Sequence, residues 1–170
     1  MDSFGRPDWD NYFMFLCYVI AMRSLDPRTK CGCVIVDTKH KIKTTGYNGP
    51  LPGIDDSLVP TQPPMKYFWM EHSERGALYS YPGDLEGCIA YITGYPCSDC
   101  ARGLMIKGIK KIIYGPNLAV MSKENQPNMD SVVEMAKAKG VELMEYKGNF
   151  WEVYDILTKY LSTKNILHKE

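Results

Sequence analysis

From residue 87 onward the chain alternates short apolar runs with stretches of helical period. This alternation constrains the fold more than any other feature of its 170 residues. Residues 87–93, which include Cys-Ile-Ala-Tyr-Ile-Thr, read as a strand, and Pro96 opens a helix as far as Lys107-Gly108. Residues 111–114 form a short strand ended by Gly115-Pro116. Asn128 or Asp130 caps a helix to Lys139, Gly140 terminates it, and residues 141–146 are a last strand. Helices alternating with buried strands are the pattern of a sheet covered on two faces.

Upstream, Asp8 or Asp10 can cap a first helix running to about Ser24, with Phe13, Leu16, Cys17, Ile20 and Ala21 on one stripe. Asp26-Pro27 ends it. Residues 31–37 and 41–46 read as a hairpin, and a Gly/Pro-rich loop over 47–66 leads to a helix that begins near Glu71 or His72 and runs to Tyr81. Residues 151–161 form a closing amphipathic helix. The expected class is α/β: a three-layer α/β/α domain with a mixed five-stranded sheet. The length suits one domain over residues 1–170.

Charge and cysteine usage narrow the function. Twenty Lys and Arg balance twenty Asp and Glu, so a broad electrostatic footprint for nucleic acid or anionic membrane is not expected, although a small anionic ligand needs only a local cluster of cations. Six cysteines are too sparse for a disulfide scaffold, the N-terminus has no leader-like apolar core, and the longest apolar stretch, 12–22, is shorter than a membrane span. These features predict a reduced, cytoplasmic protein with no membrane partner, whose cysteines serve as metal ligands or packing.

Two motifs carry chemistry: His72-Ser73-Glu74, and Pro96-Cys97-Ser98-Asp99-Cys100, with His72 and Cys97 25 residues apart. Each falls at the expected N-terminus of a helix. One His and two Cys make three protein ligands, the count of a catalytic zinc site with an open fourth position. The C-x-x-C spacing puts both sulfurs on one side of a first helical turn, where free N–H groups and the helix dipole favour thiolates. Glu74 is not needed as a ligand, and a carboxylate beside the ion can take a proton from water and pass it on. A lone C-x-x-C is as readily a core pair, a redox pair or half of a structural zinc site. Cys31 and Cys33 would be the other half, but they lie in a Val/Ile-rich strand and read as core, as do Cys17 and Cys88.

H-x-E followed by P-C-x-x-C is the pattern of zinc-dependent nucleobase deaminases. On these motifs, with Arg23-Ser24, Asp26-Pro27, Lys30 to Val36, Gly46-Tyr47-Asn48-Gly49-Pro50 and Gly108-Ile109-Lys110-Lys111, the chain resembles the cytidine deaminase superfamily. Gly-Tyr-Asn-Gly followed by Asp55-Asp56 places the resemblance within the deoxycytidylate (dCMP) branch. It implies a cytidine-deaminase-like fold in which His72, Cys97 and Cys100 hold one catalytic Zn2+ per chain. Glu74 would move protons during hydrolysis of dCMP to dUMP and ammonia, supplying dUMP for thymidylate synthesis. By the same carry-over, Asn48 contacts the deoxyribose or phosphate, Tyr95 faces the base, and Arg23 with Ser24 lies near the phosphate. The resemblance also implies a homo-oligomer, commonly a hexamer, activated by dCTP and inhibited by dTTP, in the cytoplasm of a cell or a virus-infected host cell. Mg2+ would accompany a triphosphate ligand.

Several readings stay open at this level. Lys30, Lys66 and Arg75 are cations near the motifs, each readable as a phosphate contact or as solvated surface. Tyr67, Phe68 and Trp69 read as a stacking wall or as core. Ser73 stands where the family usually has Ala, and Arg75-Gly76 where it usually has Leu-Asn; the added cation suggests a pocket that also accepts dCTP. The rival functions are a tRNA or single-strand base deaminase using the same site, and a non-catalytic, zinc-stabilised nucleotide-binding module.

Overall fold

The computed structural model describes residues 5–117 and 126–164. The one-domain expectation over 1–170 therefore includes residues 1–4, 118–125 and 165–170, which lie outside the described residues.

Helix α1 spans Trp9–Ala21 and is capped by Asp8, whose carboxylate accepts from the Asn11 N–H at 2.9 Å. Strands β1 (Gly32–Val36) and β2 (Ile42–Tyr47) form the expected antiparallel hairpin. The long loop after it carries a 3-10 turn at Asp56–Leu58 and a four-residue helix, α2 (Lys66–Trp69). Then follow α3 (Ser73–Tyr79), β3 (Ile89–Gly94), α4 (Ser98–Ile106), β4 (Lys111–Asn117), α5 (Gln126–Lys139), β5 (Glu142–Glu145) and α6 (Trp151–Thr163). The five strands are ordered β2-β1-β3-β4-β5 in one mixed sheet: β1 is antiparallel to both neighbours, and β3, β4 and β5 are mutually parallel.

Alternate residues of the central strands feed two cores. Cys33, Ile35, Ala90, Ile92 and Ile112 pack toward Ala77 and Leu78 of α3, Ala101 and Leu104 of α4, and Val132 and Ala136 of α5. Val34, Val36, Tyr91 and Ile113 pack toward Phe13, Met14 and Cys17 of α1, with Phe150 at the start of α6 against the same cluster. With helices on both sheet faces, β1 and β3 are buried along nearly their whole length and read as continuous apolar runs, whereas the edge strands β2 and β5 are largely exposed. The expected three layers and mixed sheet are present.

Several boundaries differ from expectation: α1 stops at Ala21, short of Ser24, and α3 is confined to Ser73–Tyr79. Gly115-Pro116 does not end β4, because the dipeptide sits in a register shift opposite 92–94, where Pro116 owes the ladder no N–H. Asn128 does not cap α5, which already includes Gln126; its side chain accepts from the Ser98 N–H of α4 at 2.8 Å.

Candidate active site

The parallel half of the sheet places the turn after β3 beside the start of α3. Cys97 is the N-cap of α4 and Cys100 lies in its first turn, while His72 is the N-cap of α3. Pro96 precedes the cap and lies two positions before the first helical residue, Ser98, instead of opening the helix itself. The approach of β2 to α3 depends on Gly46, where a Cβ would stand 2.1 Å from the Ser73 carbonyl oxygen and 2.5 Å from the Ala77 nitrogen.

His72 Nδ1 lies 3.6 Å from Cys97 Sγ and 3.4 Å from Cys100 Sγ, and the three candidate ligand atoms all lie within 4.8 Å of one another. Tetrahedral zinc with ordinary Zn–N and Zn–S bonds sets its nitrogen and sulfur ligands roughly 3.6 Å apart, so the trio fits the ion. The donor set is also one that zinc prefers. The bond from the Cys100 thiol lowers the Cys97 thiol to about 4, with His72 assisting and burial opposing. The bond to Cys97 raises His72 above its usual range.

Glu74 is 5% exposed, and burial, the largest influence, raises its carboxyl above the usual range. Ser73, fully buried, donates its hydroxyl to Glu74 Oε2 at 3.0 Å and pulls the other way. The exchange of Ala for Ser is thus a hydrogen bond onto the glutamate, which the sequence alone did not reveal.

A cavity of about 400 Å3 opens over these groups, lined by His72, Glu74 and Cys97 together with Asn48, Tyr95 and Arg28. Its size suits a small molecule. Tyr95 is buried, donates to the Met129 carbonyl at 3.1 Å and packs edge-on against Tyr114. Asn48 is used largely within the protein: Oδ1 accepts from the Cys31 N–H at 2.7 Å and Nδ2 donates to the Thr29 carbonyl at 2.9 Å. One amide hydrogen is left for a ligand.

Arg23 and Ser24 do not line the cavity. Arg23 is exposed, and Ser24 is buried with its Oγ accepting from the Asp26 N–H. Lys66 does line it, but its ammonium is buried against Asp26 Oδ2 at 2.7 Å. Arg75 turns away, donating Nε to Glu71 Oε1 at 2.6 Å, so the pocket does not gain the cation expected from the Arg75-Gly76 departure. Cys31 is part of the cavity wall instead of the core, and burial raises its thiol to about 11. Tyr67 lines the mouth and Phe68 is 78% exposed, so neither is core. Arg28 was missed; its only signal in the sequence is its place just after Asp26-Pro27.

Residues 7–116 match the family described as the cytidine and deoxycytidylate deaminase zinc-binding region, and the chain belongs to that family. It is similar to the deoxycytidylate deaminase of Mus musculus, 35% identical over 114 residues, and to that of Homo sapiens, 33% identical over the same length. Each match takes in 63% of this chain and 64% of the relative, so the chain spans a little under two thirds of the length of these relatives. Among solved structures, the dCMP deaminase of cyanophage S-TIM5 has the same fold in its apo form, with a TM-score of 0.62 at 21% identity over 84% of this chain and 100% of that one. Its complex with dCMP and dUMP gives the same score and identity over 84% and 99%.

Proposed function

We propose that the chain catalyses the hydrolytic deamination of a free cytosine deoxynucleotide, dCMP and water giving dUMP and ammonia. The observation that carries this reading is the buried carboxylate of Glu74 sharing a cavity with His72 and Cys97, two members of a His/Cys/Cys trio of zinc dimensions. Relatives named deoxycytidylate deaminase and a solved cyanophage enzyme of this fold in complex with dCMP and dUMP support the choice of substrate.

His72, Cys97 and Cys100 would hold the ion, which would supply the Lewis acidity that lowers the pKa of a water to roughly 7. Glu74 accepts a proton from the attacking water, delivers it to N3 of the cytosine ring, and carries a second proton to the departing amino group. The new C4–O bond replaces the C4–N bond, and no redox partner is needed. Tyr95 faces the base, and Asn48 offers its remaining amide hydrogen to the deoxyribose or phosphate. By the family resemblance Arg23 and Ser24 lie near the phosphate, on the segment that leads into the cavity wall at Asp26 and Arg28.

The same reading takes residues 1–170 as one deaminase domain in the cytoplasm, assembling as a homo-oligomer such as a hexamer. It includes control by dCTP and dTTP, with Mg2+ accompanying a bound triphosphate. These points rest on the family resemblance. Ammonia release across dCMP, dCTP, deoxycytidine and a cytosine-containing oligonucleotide tests the reaction, with Glu74→Gln as the control. Turnover of dCMP that disappears in Glu74→Gln while zinc content holds is expected. Full activity in that variant, or release from the oligonucleotide alone, would overturn the reading.

A further inference from the structure

Helix α4 carries both cysteines of the trio, yet the residue at its N-terminal boundary does not cap it. Cys97 stands at the N-cap with its sulfur turned to His72, and its side chain makes no capping hydrogen bond. A Ser, Thr, Asp or Asn at that position would satisfy one of the free first-turn N–H groups, but a ligand cysteine is committed elsewhere. The oxygen comes instead from outside the helix. Asn128, in the first turn of α5, accepts from the Ser98 N–H through Oδ1 at 2.8 Å, across 30 positions of sequence.

The next residue bonds the same segment again. The Met129 carbonyl accepts from the Tyr95 hydroxyl at 3.1 Å, so adjacent residues of α5 grip both ends of Tyr95-Pro96-Cys97-Ser98. Tyr95 and Cys97 both line the cavity. The grip is firm because α5 is itself anchored: Val132 and Ala136 are buried in the core that holds Ala101 and Leu104 of α4, and Met129 packs against it. Within the first turn of α5, the Gln126 amide donates to Asp130 and the Ser131 hydroxyl to the Pro127 carbonyl. Removing the Asn128 acceptor would free a turn that zinc otherwise finds in place, and binding would then have to order it.

We infer that Asn128 is a positioning residue for the metal: it caps α4 in place of Cys97, leaves that sulfur to the ion, and holds the turn in its binding geometry beforehand. The inference rests on His72, Cys97 and Cys100 as the zinc ligands of the proposed deaminase. It does not depend on which nucleotide is the substrate.

The test compares wild type, Asn128→Ala and Asn128→Asp at neutral pH, by competition for zinc with a chromophoric chelator and by the melting temperature of each zinc-free protein. In Asn128→Ala the Kd for zinc rises about fivefold, the scale of a lost helix cap. Asn128→Asp keeps an acceptor oxygen at the same reach and stays within twofold of wild type. A purely structural contact would lower the melting temperature of the zinc-free protein and leave the Kd alone. A Kd in Asn128→Ala within twofold of wild type therefore overturns the inference, whatever the melting temperature, and so does a rise that Asn128→Asp fully shares. Wild-type protein that binds zinc tightly but does not deaminate dCMP would instead refute the proposed function, and the Kd comparison still decides for Asn128. Zinc binding that survives Cys97→Ser unchanged would refute the trio and the inference together.

Discussion

Ser73 Oγ donates to Glu74 Oε2 at 3.0 Å, and both residues are buried in the first turn of α3. A carboxylate in that setting has few competing partners, so the hydroxyl fixes which oxygen is engaged and which faces the cavity. The bond ties a departure from the family pattern directly to the carboxylate proposed to move protons.

Ser73→Ala removes that donor without opening a large void. A hydrogen bond to a buried charged group contributes about 1.5–3 kcal/mol, part of which relaxation of Glu74 recovers. The expected outcome is a kcat three- to tenfold lower, as an order of magnitude, with KM for dCMP and zinc content little changed. Steady-state kinetics on zinc-quantified protein checks this. An unchanged kcat would show that Ser73 only fills space.

Two glycines near the same helix should respond in opposite directions. A Cβ at Gly76 would meet only the Tyr47 carbonyl oxygen at 3.6 Å, an ordinary contact, so Gly76→Ala should stabilise α3 by about 0.5–1 kcal/mol. That corresponds to a melting temperature higher by roughly 2–4 °C. Gly46→Ala should cost about 1–3 kcal/mol, because its Cβ would collide with the backbone of Ser73 and Ala77. It should also lower zinc occupancy by displacing His72. Thermal melts with parallel metal analysis check both variants.

The layers, the sheet and the zinc trio were legible because each depends on local pattern. Apolar runs marked β1, β3 and β4, and helix N-termini marked where His72, Cys97 and Cys100 would stand. What sequence could not supply was the pairing of charges across the cavity. Lys66 and Asp26 are 40 positions apart, and no periodicity links them. Arg75 reads as available for a phosphate because Glu71, four positions earlier, stands at the expected edge of the helix, where the pattern does not fix whether the two side chains pair. Asn48 lines the cavity, but its two bonds to 29–31 depend on β1 and β2 being paired.

Metal removal should destabilise as well as inactivate. The trio exists only in the folded chain, so bound zinc adds stability by mass action, about 2.7 kcal/mol at a hundredfold excess over Kd. Chelation should lower the melting temperature by several degrees, and stoichiometric zinc should restore both melting temperature and turnover. Cys97→Ser should show the lower melting temperature and little response to either treatment. A melting temperature indifferent to chelation, with zinc shown to have left, would contradict this role for the trio.

The buried Asp26–Lys66 pair makes a prediction about acid. Burial by itself raises the Asp26 carboxyl, but the Lys66 ammonium and the Arg28 and Thr29 N–H groups outweigh it and hold the carboxyl below the ordinary value of 3.8. A carboxyl depressed in the folded state contributes stability that is fully present above its unfolded value and is lost as the pH falls through its folded one. Wild type should therefore lose stability as the pH drops below the ordinary carboxylate range. Asp26→Asn should lack this component of the loss, and at neutral pH should cost about 3–5 kcal/mol by leaving Lys66 buried and unpaired. Pairing it with Lys66→Met removes the orphan charge and should recover much of that cost, although the bonds to Arg28 and Thr29 remain weakened. Urea unfolding of wild type and the single and double variants from pH 7 down to pH 3 measures both effects. A single variant as stable as wild type at neutral pH would mean that the pair does not anchor the loop.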